Sequence, residues 1–285
     1  MPQLRFPALH SRDPISFYGL EAIDEHTYAD ITLTDVKSIH EGKRLSVVYR
    51  ATAHATSPEL ASQDVVCKVA YGRRSRDSLH HEARIYDKLR ALQGRVIPRC
   101  LGLYEGELED GLAACLLLEY CGAELVKILC FRAREFRRQV LDSLQEIHRH
   151  GVQHNDVREC NIVVSEGGRP IIIDFDVAQE HDCKLQMDIK FDQVKPHVYE
   201  FGCHELHRAA VSADAWLPRV IPYLWYHVPI EFAESPELLA TQAPKDMPPD
   251  DALKQAQAYH AMFLEALRKR ERGEPYCWRD DRMVV

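Results

Sequence analysis

Three side chains that could transfer a phosphoryl group lie close together in the sequence, between residues 154 and 176. Asp156 can accept a proton from a hydroxyl, and Asn161 and Asp174 both carry oxygens suited to holding Mg²⁺. Phosphoryl transfer is driven mainly by positioning and charge neutralisation, so it needs little beyond such a set. The residue types therefore favour transfer of a phosphoryl group to a hydroxyl.

A short hairpin is predicted to bring the two metal-binding residues together. The apolar runs Ile162 to Val164 and Ile171 to Ile173 are typical of buried strands, and Glu166 to Arg169 is typical of the turn between them. Because a hairpin brings its two ends together, Asn161 and Asp174 could share one cation. If the residues before the hairpin or those after it are considered alone, the alternative is a hairpin that is capped by Asp and Asn and binds nothing.

Composition limits the class of protein. The chain has 285 residues, 46% of them hydrophobic and 28% charged, which is enough for one bilobal or two ordinary domains. It has no apolar run near the roughly 20 residues of a membrane span, no signal-peptide core and no paired spacing among its nine cysteines. We therefore expect an intracellular, cytoplasmic protein with reduced cysteines. The net charge of −8 predicts neither nucleic-acid nor membrane binding and leaves the oligomeric state open.

The N-terminal half is predicted to be largely extended. Residues 1–30 contain three prolines and few periodic apolar positions, so we expect an irregular leader. A helix is predicted from Asp77 to Leu92. Lys68, in the middle of an apolar strand, must find an anion or point outward, and Glu82 on that helix could meet it. Strands are predicted near residues 31–36, 46–52, 64–70, 97–106 and 112–120.

The C-terminal half is predicted to be mainly helical. Apolar residues at helical spacing predict helices from Phe131 to His150, from Val198 to Ala210 and from Pro249 to Arg272. Histidines and cysteines are frequent between residues 181 and 207. They lack the close pairs that zinc sites usually have, so ordinary packing is favoured over a metal there.

The pattern H-x-D-x-x-x-x-N from His154 to Asn161, followed by D-F-x from Asp174, resembles the catalytic loop and metal-binding motif of the protein-kinase-like superfamily. The resemblance spans roughly residues 30 to 210 and extends to small kinase-like proteins of filamentous fungi. It implies an α+β, bilobal protein-kinase-like fold, with a small five-stranded antiparallel lobe carrying one helix and a shortened, mainly helical large lobe. The implied lobes are residues 31–121 and 122–285, with a C-terminal helix at about 249–272.

The resemblance also implies ATP and Mg²⁺ as cofactors and assigns the catalytic roles. Asp156 would orient or deprotonate the acceptor hydroxyl, and Arg158 would contact the transferred phosphate. Lys68 and Glu82 would form the phosphate clamp. The implied metal ligands are Asn161 and Asp174. The other implied nucleotide contacts are Gly42 in the phosphate-covering turn, Val48, Leu118 at the back of the adenine pocket, and the backbone of Glu119 and Cys121.

Several departures from the kinase pattern bear on the acceptor and on regulation. Asn155 replaces the arginine that binds a phosphorylated activation loop in many kinases, so we do not expect that form of control. Asp176 replaces the glycine of D-F-G, as in small-molecule kinases, and no convincing A-P-E follows. Gly42 is alone where kinases have several glycines, and a lone glycine is more typical of ordinary turn chemistry.

Three functions therefore remain open. The first is phosphorylation of a protein Ser/Thr hydroxyl. The second is the same reaction on a small-molecule hydroxyl, as in aminoglycoside and choline kinases. The third is a pseudokinase that binds nucleotide as a scaffold, which the glycine-poor turn favours.

Overall fold

The computed structural model describes residues 1–9, 16–23, 30–41, 46–55, 62–274 and 276. The chain divides into two compact units. The first comprises Met1–Leu125 and Ser143–Asp182, and the second comprises Val126–Asp142 and Cys183–Val285. Every described residue of the candidate site belongs to the first unit. The lobe boundary predicted between residues 121 and 122 stays a prediction.

The first unit contains a closed barrel of seven strands, in the order β1-β2-β6-β7-β5-β4-β3. All neighbouring strands pair antiparallel except β1 and β3, which pair in parallel. Side chains such as Leu4, Leu33 and Leu117 fill the interior and are fully buried. The barrel strands are β1 (Gln3–Pro7), β2 (Phe17–Ala22), β3 (Ile31–Glu41), β4 (Ser46–Ala55), β5 (Gln63–Tyr71), β6 (Cys100–Leu108) and β7 (Gly111–Glu119).

The predictions of an irregular leader and of a five-stranded sheet were wrong. Strands β1 and β2 lie within residues 1–30 and add two strands to the predicted five. Only Leu4 and Phe6 of β1 are buried, and Pro7 ends the strand, so the alternating signal in the sequence is very short. The stabilising contact is nonlocal, because Leu4 pairs opposite Leu20 and also beside Ile31.

Helix α1 (Arg73–Lys88) packs its apolar face on the barrel and carries Glu82. The helix begins four residues before the predicted Asp77. It ends at Lys88, and a separate 3-10 turn covers Arg90–Leu92. The buried residues Leu79, Ala83 and Tyr86 form the face that the helical spacing predicts.

The predicted hairpin is present as β10 (Ile162–Val164) and β11 (Pro170–Ile172), with Ile162 opposite Ile172. Strand β8 (Ala123–Glu124) pairs with β10 on its other side. A second short pair, β9 (Val152–Gln153) with β12 (Gln179–Glu180), joins the segment before Asp156 to the segment after Asp174.

The second unit contains most of the remaining helices. Helix α2 (Arg134–Arg149) begins in it and continues into residues of the first unit. The predicted helix from Val198 to Ala210 is divided at Gly202, where φ is +86° and an added Cβ would lie 2.0 Å from the Lys184 carbonyl oxygen. The other elements are α3 (Val198–Phe201), α4 (His204–Ser212), β13 (Val220–Tyr223), β14 (Tyr226–Pro229), α5 (Pro236–Ala240) and α6 (Pro249–Arg272).

Helix α6 has the predicted bounds and is anchored by a buried ion pair. Arg270 is 5% exposed, and its Nε donates to Asp214 at 3.1 Å. Arg137 is 3% exposed and lies against the same carboxylate at 3.5 Å. Two guanidiniums thus share one carboxylate in the interior of the second unit. Across the described ranges, none of the helices is both long and apolar enough to cross a membrane.

Candidate active site

The loop between β9 and β10 holds the carboxylate of Asp156 in a fixed position. Nδ2 of Asn161 donates to the Asp156 backbone oxygen at 2.8 Å and to its Oδ2 at 2.9 Å. Asn161 is 6% exposed and lies in a 3-10 turn, Glu159–Asn161, directly before β10. One amide therefore fixes both the backbone and the side chain of the proposed proton acceptor.

The guanidinium of Arg158 forms an ion pair with Asp156 Oδ2. Arg158 is 64% exposed, so this pair faces solvent. The resemblance implies that Arg158 contacts the transferred phosphate, whereas here its Nη2 donates to the carboxylate two residues earlier. This contact depends on the loop conformation, which the residue types alone do not reveal.

His154 joins the loop between β9 and β10 to the segment that precedes Asp174. It is fully buried, and its Nε2 donates to the Ile173 carbonyl oxygen at 2.9 Å. Its ring centroid lies 4.8 Å from that of Phe175. Sequence reasoning used His154 only as part of the motif and missed this structural role.

Asn161 and Asp174 are brought together as the hairpin predicts. The Ile173 N–H donates to the Asn161 carbonyl oxygen at 3.0 Å, so the two residues adjoin the same backbone hydrogen bond. Asp174 has φ of +70°, a left-handed conformation that Asp and Asn tolerate better than most residues. The carboxylate and amide oxygens are the donor types that Mg²⁺ prefers, so the residues fit such an ion.

Lys68 is bonded to two carboxylates: Glu82, the partner that the sequence predicts, and Asp174, for which only a metal is predicted. Its Nζ donates to Glu82 at 2.7 and 2.9 Å and to Asp174 Oδ1 at 2.6 Å. Burial opposes the charge on Lys68, but the two carboxylates outweigh it and raise the pKa of the ammonium above its ordinary value. Burial likewise opposes the charge on Asp174, but Lys68 lowers the pKa of that carboxyl below its ordinary value. The lysine is therefore an inward cation, and the alternative of an outward-pointing side chain is wrong.

Glu82 is 1% exposed and links helix α1 to Phe175, the residue after Asp174, as well as to Lys68. Its Oε1 accepts the backbone N–H of Phe175 at 3.2 Å. One turn later on α1, the ring of Tyr86 meets that of Phe175 edge-on, with centroids 5.3 Å apart. Helix α1 thus contacts Phe175 through both a polar and an aromatic residue.

A cavity of about 610 Å³ opens beside these groups. The carboxylates of Asp156, Asp174 and Asp176 all line it, together with Arg158. Burial and then the neighbouring Asp174 raise the pKa of the Asp176 carboxyl. The remaining lining residues are Asn155, Val177 and Gln179. The cavity is strongly polar and offers a cation several oxygen ligands.

The residues implied as adenine contacts lie at the end of β7. Leu118 is 3% exposed. The N–H of Glu119 already donates to the Arg99 carbonyl oxygen at 2.9 Å, and Cys121 Sγ donates to the Glu119 carbonyl oxygen at 3.7 Å. Burial raises the pKa of the Cys121 thiol to about 12. Val48 lies directly opposite Lys68 in the pairing of β4 with β5. Gly42 lies outside the described residues.

Gly122 explains why the chain can turn after β7. Its φ is +125°, and an added Cβ would lie 2.0 Å from the Val164 carbonyl oxygen. Only glycine fits this close approach, because both the backbone conformation and the space exclude a side chain. The chain therefore bends at this glycine.

Comparison with known proteins identifies one family. The model described as "Protein kinase domain" matches residues 33–193. Serine/threonine-protein kinase STN8, chloroplastic, from Arabidopsis thaliana is 37% identical over 59 residues, which is 21% of this chain and 12% of that protein. Serine/threonine-protein kinase PKH3 from Saccharomyces cerevisiae (strain ATCC 204508 / S288c) is 38% identical over 55 residues, 19% of this chain and 6% of that protein. The matched segments thus span only a small part of either relative.

Proposed function

Because the chain belongs to the protein kinase domain family, we propose that it is an ATP- and Mg²⁺-dependent phosphotransferase acting on a hydroxyl. The observation that carries the proposal is that Lys68 bonds both Glu82 and Asp174. The same unit contains Asp156, held by Asn161. A cation for phosphate, oxygens for a metal and a proton acceptor are the parts that this reaction needs.

Each residue then has a role in the reaction. The acceptor oxygen attacks the γ-phosphorus, the bond to the ADP oxygen breaks, and the hydroxyl proton passes to Asp156. Lys68 neutralises phosphate charge, and Glu82 keeps the ammonium of Lys68 oriented. Asn161 and Asp174 would hold Mg²⁺, which supplies further charge neutralisation when bound. Arg158 stabilises the charge on the transferred group.

A protein Ser/Thr hydroxyl is the proposed acceptor. The two relatives described above carry the name serine/threonine-protein kinase, which supports this choice. A small-molecule hydroxyl is the second candidate, because Asp176 lines the cavity where the kinase motif has glycine.

The deciding experiment measures phosphate transfer from labelled ATP with Mg²⁺ to casein and, separately, to amino sugars and choline. We expect transfer to the protein, abolished by Asp156→Asn and by Asp174→Asn. Asp77→Asn is the control, since that carboxylate is 70% exposed on α1. Transfer only to the amino sugars or choline would show that the acceptor is a small-molecule hydroxyl and not a protein Ser/Thr hydroxyl. Binding of ATP without any turnover would indicate a pseudokinase.

An intracellular, cytoplasmic location stays a prediction.

A further inference from the structure

Gln93, in the loop between α1 and β6, hydrogen-bonds to both of these elements. Its Nε2 donates to the Tyr86 carbonyl oxygen at 2.9 Å. Its Oε1 accepts the backbone N–H of Cys100, also at 2.9 Å. One amide side chain therefore connects the last turns of the helix to the first residue of the strand.

Both partners are backbone groups at places where regular hydrogen bonding is incomplete. Tyr86 lies in the last turn of α1, where carbonyls run out of donors within the helix. Cys100 begins β6, and the register with β7 shifts between Cys100 and Gly102. An amide has a donor at one end and an acceptor at the other, so Gln matches this pair where Glu or Met would not.

The turn of α1 that Gln93 contacts, at Tyr86, directly follows the turn that carries Glu82. Glu82 precedes Tyr86 by one helical turn, so displacement of this part of α1 moves the carboxylate that bonds Lys68. The Tyr86 ring is fully buried, and within the described part of the chain its hydroxyl has no hydrogen-bond partner. The side chain of Tyr86 therefore supplies apolar packing, and its backbone carbonyl supplies a polar attachment.

The same loop is also attached to the metal-binding segment. The Ile172 N–H, two residues before Asp174, donates to the Val96 carbonyl oxygen at 2.9 Å. Val96 and Ile97 are 4% and 0% exposed, so this part of the loop is part of the core. A loop with a buried anchor can fix the helix end through Gln93.

We propose that Gln93 is a positioning residue that holds α1 where Glu82 reaches Lys68. This inference rests on the proposed phosphotransferase function. The helix is then kept in its pairing position by the chain itself, through two neutral hydrogen bonds to the backbone. Asn155 stands where many kinases have an arginine that binds a phosphorylated activation loop. Its presence agrees with a pairing of Glu82 and Lys68 that does not depend on phosphorylation.

The test uses Gln93→Glu, which keeps the size and the acceptor for Cys100 but puts an oxygen against the Tyr86 carbonyl. We expect kcat/KM for ATP to fall about tenfold, as for loss of one hydrogen bond with an unpaired acceptor left behind. Gln93→Met removes both bonds without adding charge and should cause a similar loss. Gln63→Glu makes the same charge change at the first residue of β5 and should leave kcat/KM unchanged.

A double-mutant cycle distinguishes positioning of Glu82 from general support of the fold. In a Glu82→Gln background, Gln93→Glu should cause no further loss of kcat/KM, because the group it positions is gone. Full additivity of the two changes would overturn the proposal. So would wild-type kcat/KM in both Gln93→Glu and Gln93→Met.

Amide hydrogen exchange without nucleotide gives a result that does not depend on turnover. Exchange in the turn of α1 that carries Glu82 should be faster in Gln93→Met than in the wild type, and unchanged in Gln63→Glu. If the wild type transfers no phosphate, the proposed function fails, and this measurement still decides whether Gln93 holds the helix. Equal exchange in the Gln93→Met variant and the wild type would refute that part.

Discussion

The ammonium of Lys68 lies 2.6 Å from Asp174 Oδ1, so the lysine occupies an oxygen that a metal ion would need. When the phosphates of a nucleotide attract Lys68, that oxygen becomes free. Nucleotide and Mg²⁺ should therefore bind cooperatively, each raising the affinity for the other by tenfold or more, within the range of roughly 5–150-fold common for coupled sites. Titration calorimetry with ATP alone, Mg²⁺ alone and both together measures this coupling.

The matching variant is Lys68→Met, which removes the competing cation. We expect it to bind Mg²⁺ more tightly than the wild type when no nucleotide is present, although it should lose turnover. Lys127→Met in the second unit is the control for loss of a positive charge. Equal Mg²⁺ affinity in Lys68→Met and the wild type would show that Lys68 does not compete for Asp174.

Asn161 should act on proton transfer as well as on the metal, because its amide holds Asp156. Asn161→Asp keeps an oxygen for Mg²⁺ but places a carboxylate against Asp156. We expect kcat to fall by about 10²-fold, the lower part of the range for a lost general base. KM for ATP should change little. A large rise in KM with unchanged kcat would show that Asn161 serves nucleotide binding alone.

Arg158 should contribute to kcat through both its charge and its geometry, because it pairs with Asp156 in a solvent-facing position. Arg158→Ala should lower kcat about tenfold, and Arg158→Lys should restore only part of it, since lysine lacks the planar fork. The expected loss should shrink at high salt, because exposed charges are screened. Steady-state kinetics at low and high salt check this, and a salt-independent defect would contradict it.

Sequence alone predicted the elements whose signals are local. The hairpin around β10 and β11 was found within one residue, because two β-branched runs flank a Gly-Gly turn. Helix α6 was found with its full bounds, since Pro249 begins it and Gly273 ends it with a left-handed φ of +69°. The approach of Glu82 to Lys68 needed the resemblance as well, because either residue alone is common.

The features that sequence missed depend on contacts between distant segments. Strands β1 and β2 are recognisable only from their partners in the barrel, because each is short and lies among residues without periodicity. The bonds of Gln93 to Tyr86 and Cys100 require the loop to fold back on both elements. Glutamine is an ordinary surface residue, so its type carries no signal for this role.

Alkaline pH should destabilise the protein, in part through Cys121. Burial raises the pKa of its thiol from 9.0 to about 12, so the folded form keeps a proton that the unfolded form releases. The stability that this group contributes is fully present below pH 9 and is lost as the pH rises to about 12. The slope can reach about 1.4 kcal/mol per pH unit for one such group. Burial raises the pKa of Tyr71 to about 12 as well, so it adds to the effect.

Urea unfolding at a series of pH values from 8 to 11 measures this dependence. Cys121→Ala should flatten the decline of the unfolding free energy above pH 9, because one such thiol is removed. Leu112→Ala, at a 48% exposed position on β7, should keep the wild-type slope. Identical slopes in Cys121→Ala and the wild type would show that this thiol ionises equally in the folded and unfolded states.

The N-terminal strand should be necessary for the stability of the barrel. Leu4 of β1 is fully buried between β2 and β3, so Leu4→Ala should lower the unfolding free energy by roughly 2–5 kcal/mol. Arg5→Ala changes the next residue of the same strand, which is exposed, and should alter stability by no more than about 0.5 kcal/mol. Urea unfolding followed by far-UV circular dichroism measures both. Equal stability of the two variants would mean that β1 does not close the barrel in solution and that an irregular leader describes these residues better. A loss confined to Leu4→Ala would establish that residues before Ile31 belong to the folded unit that holds Lys68.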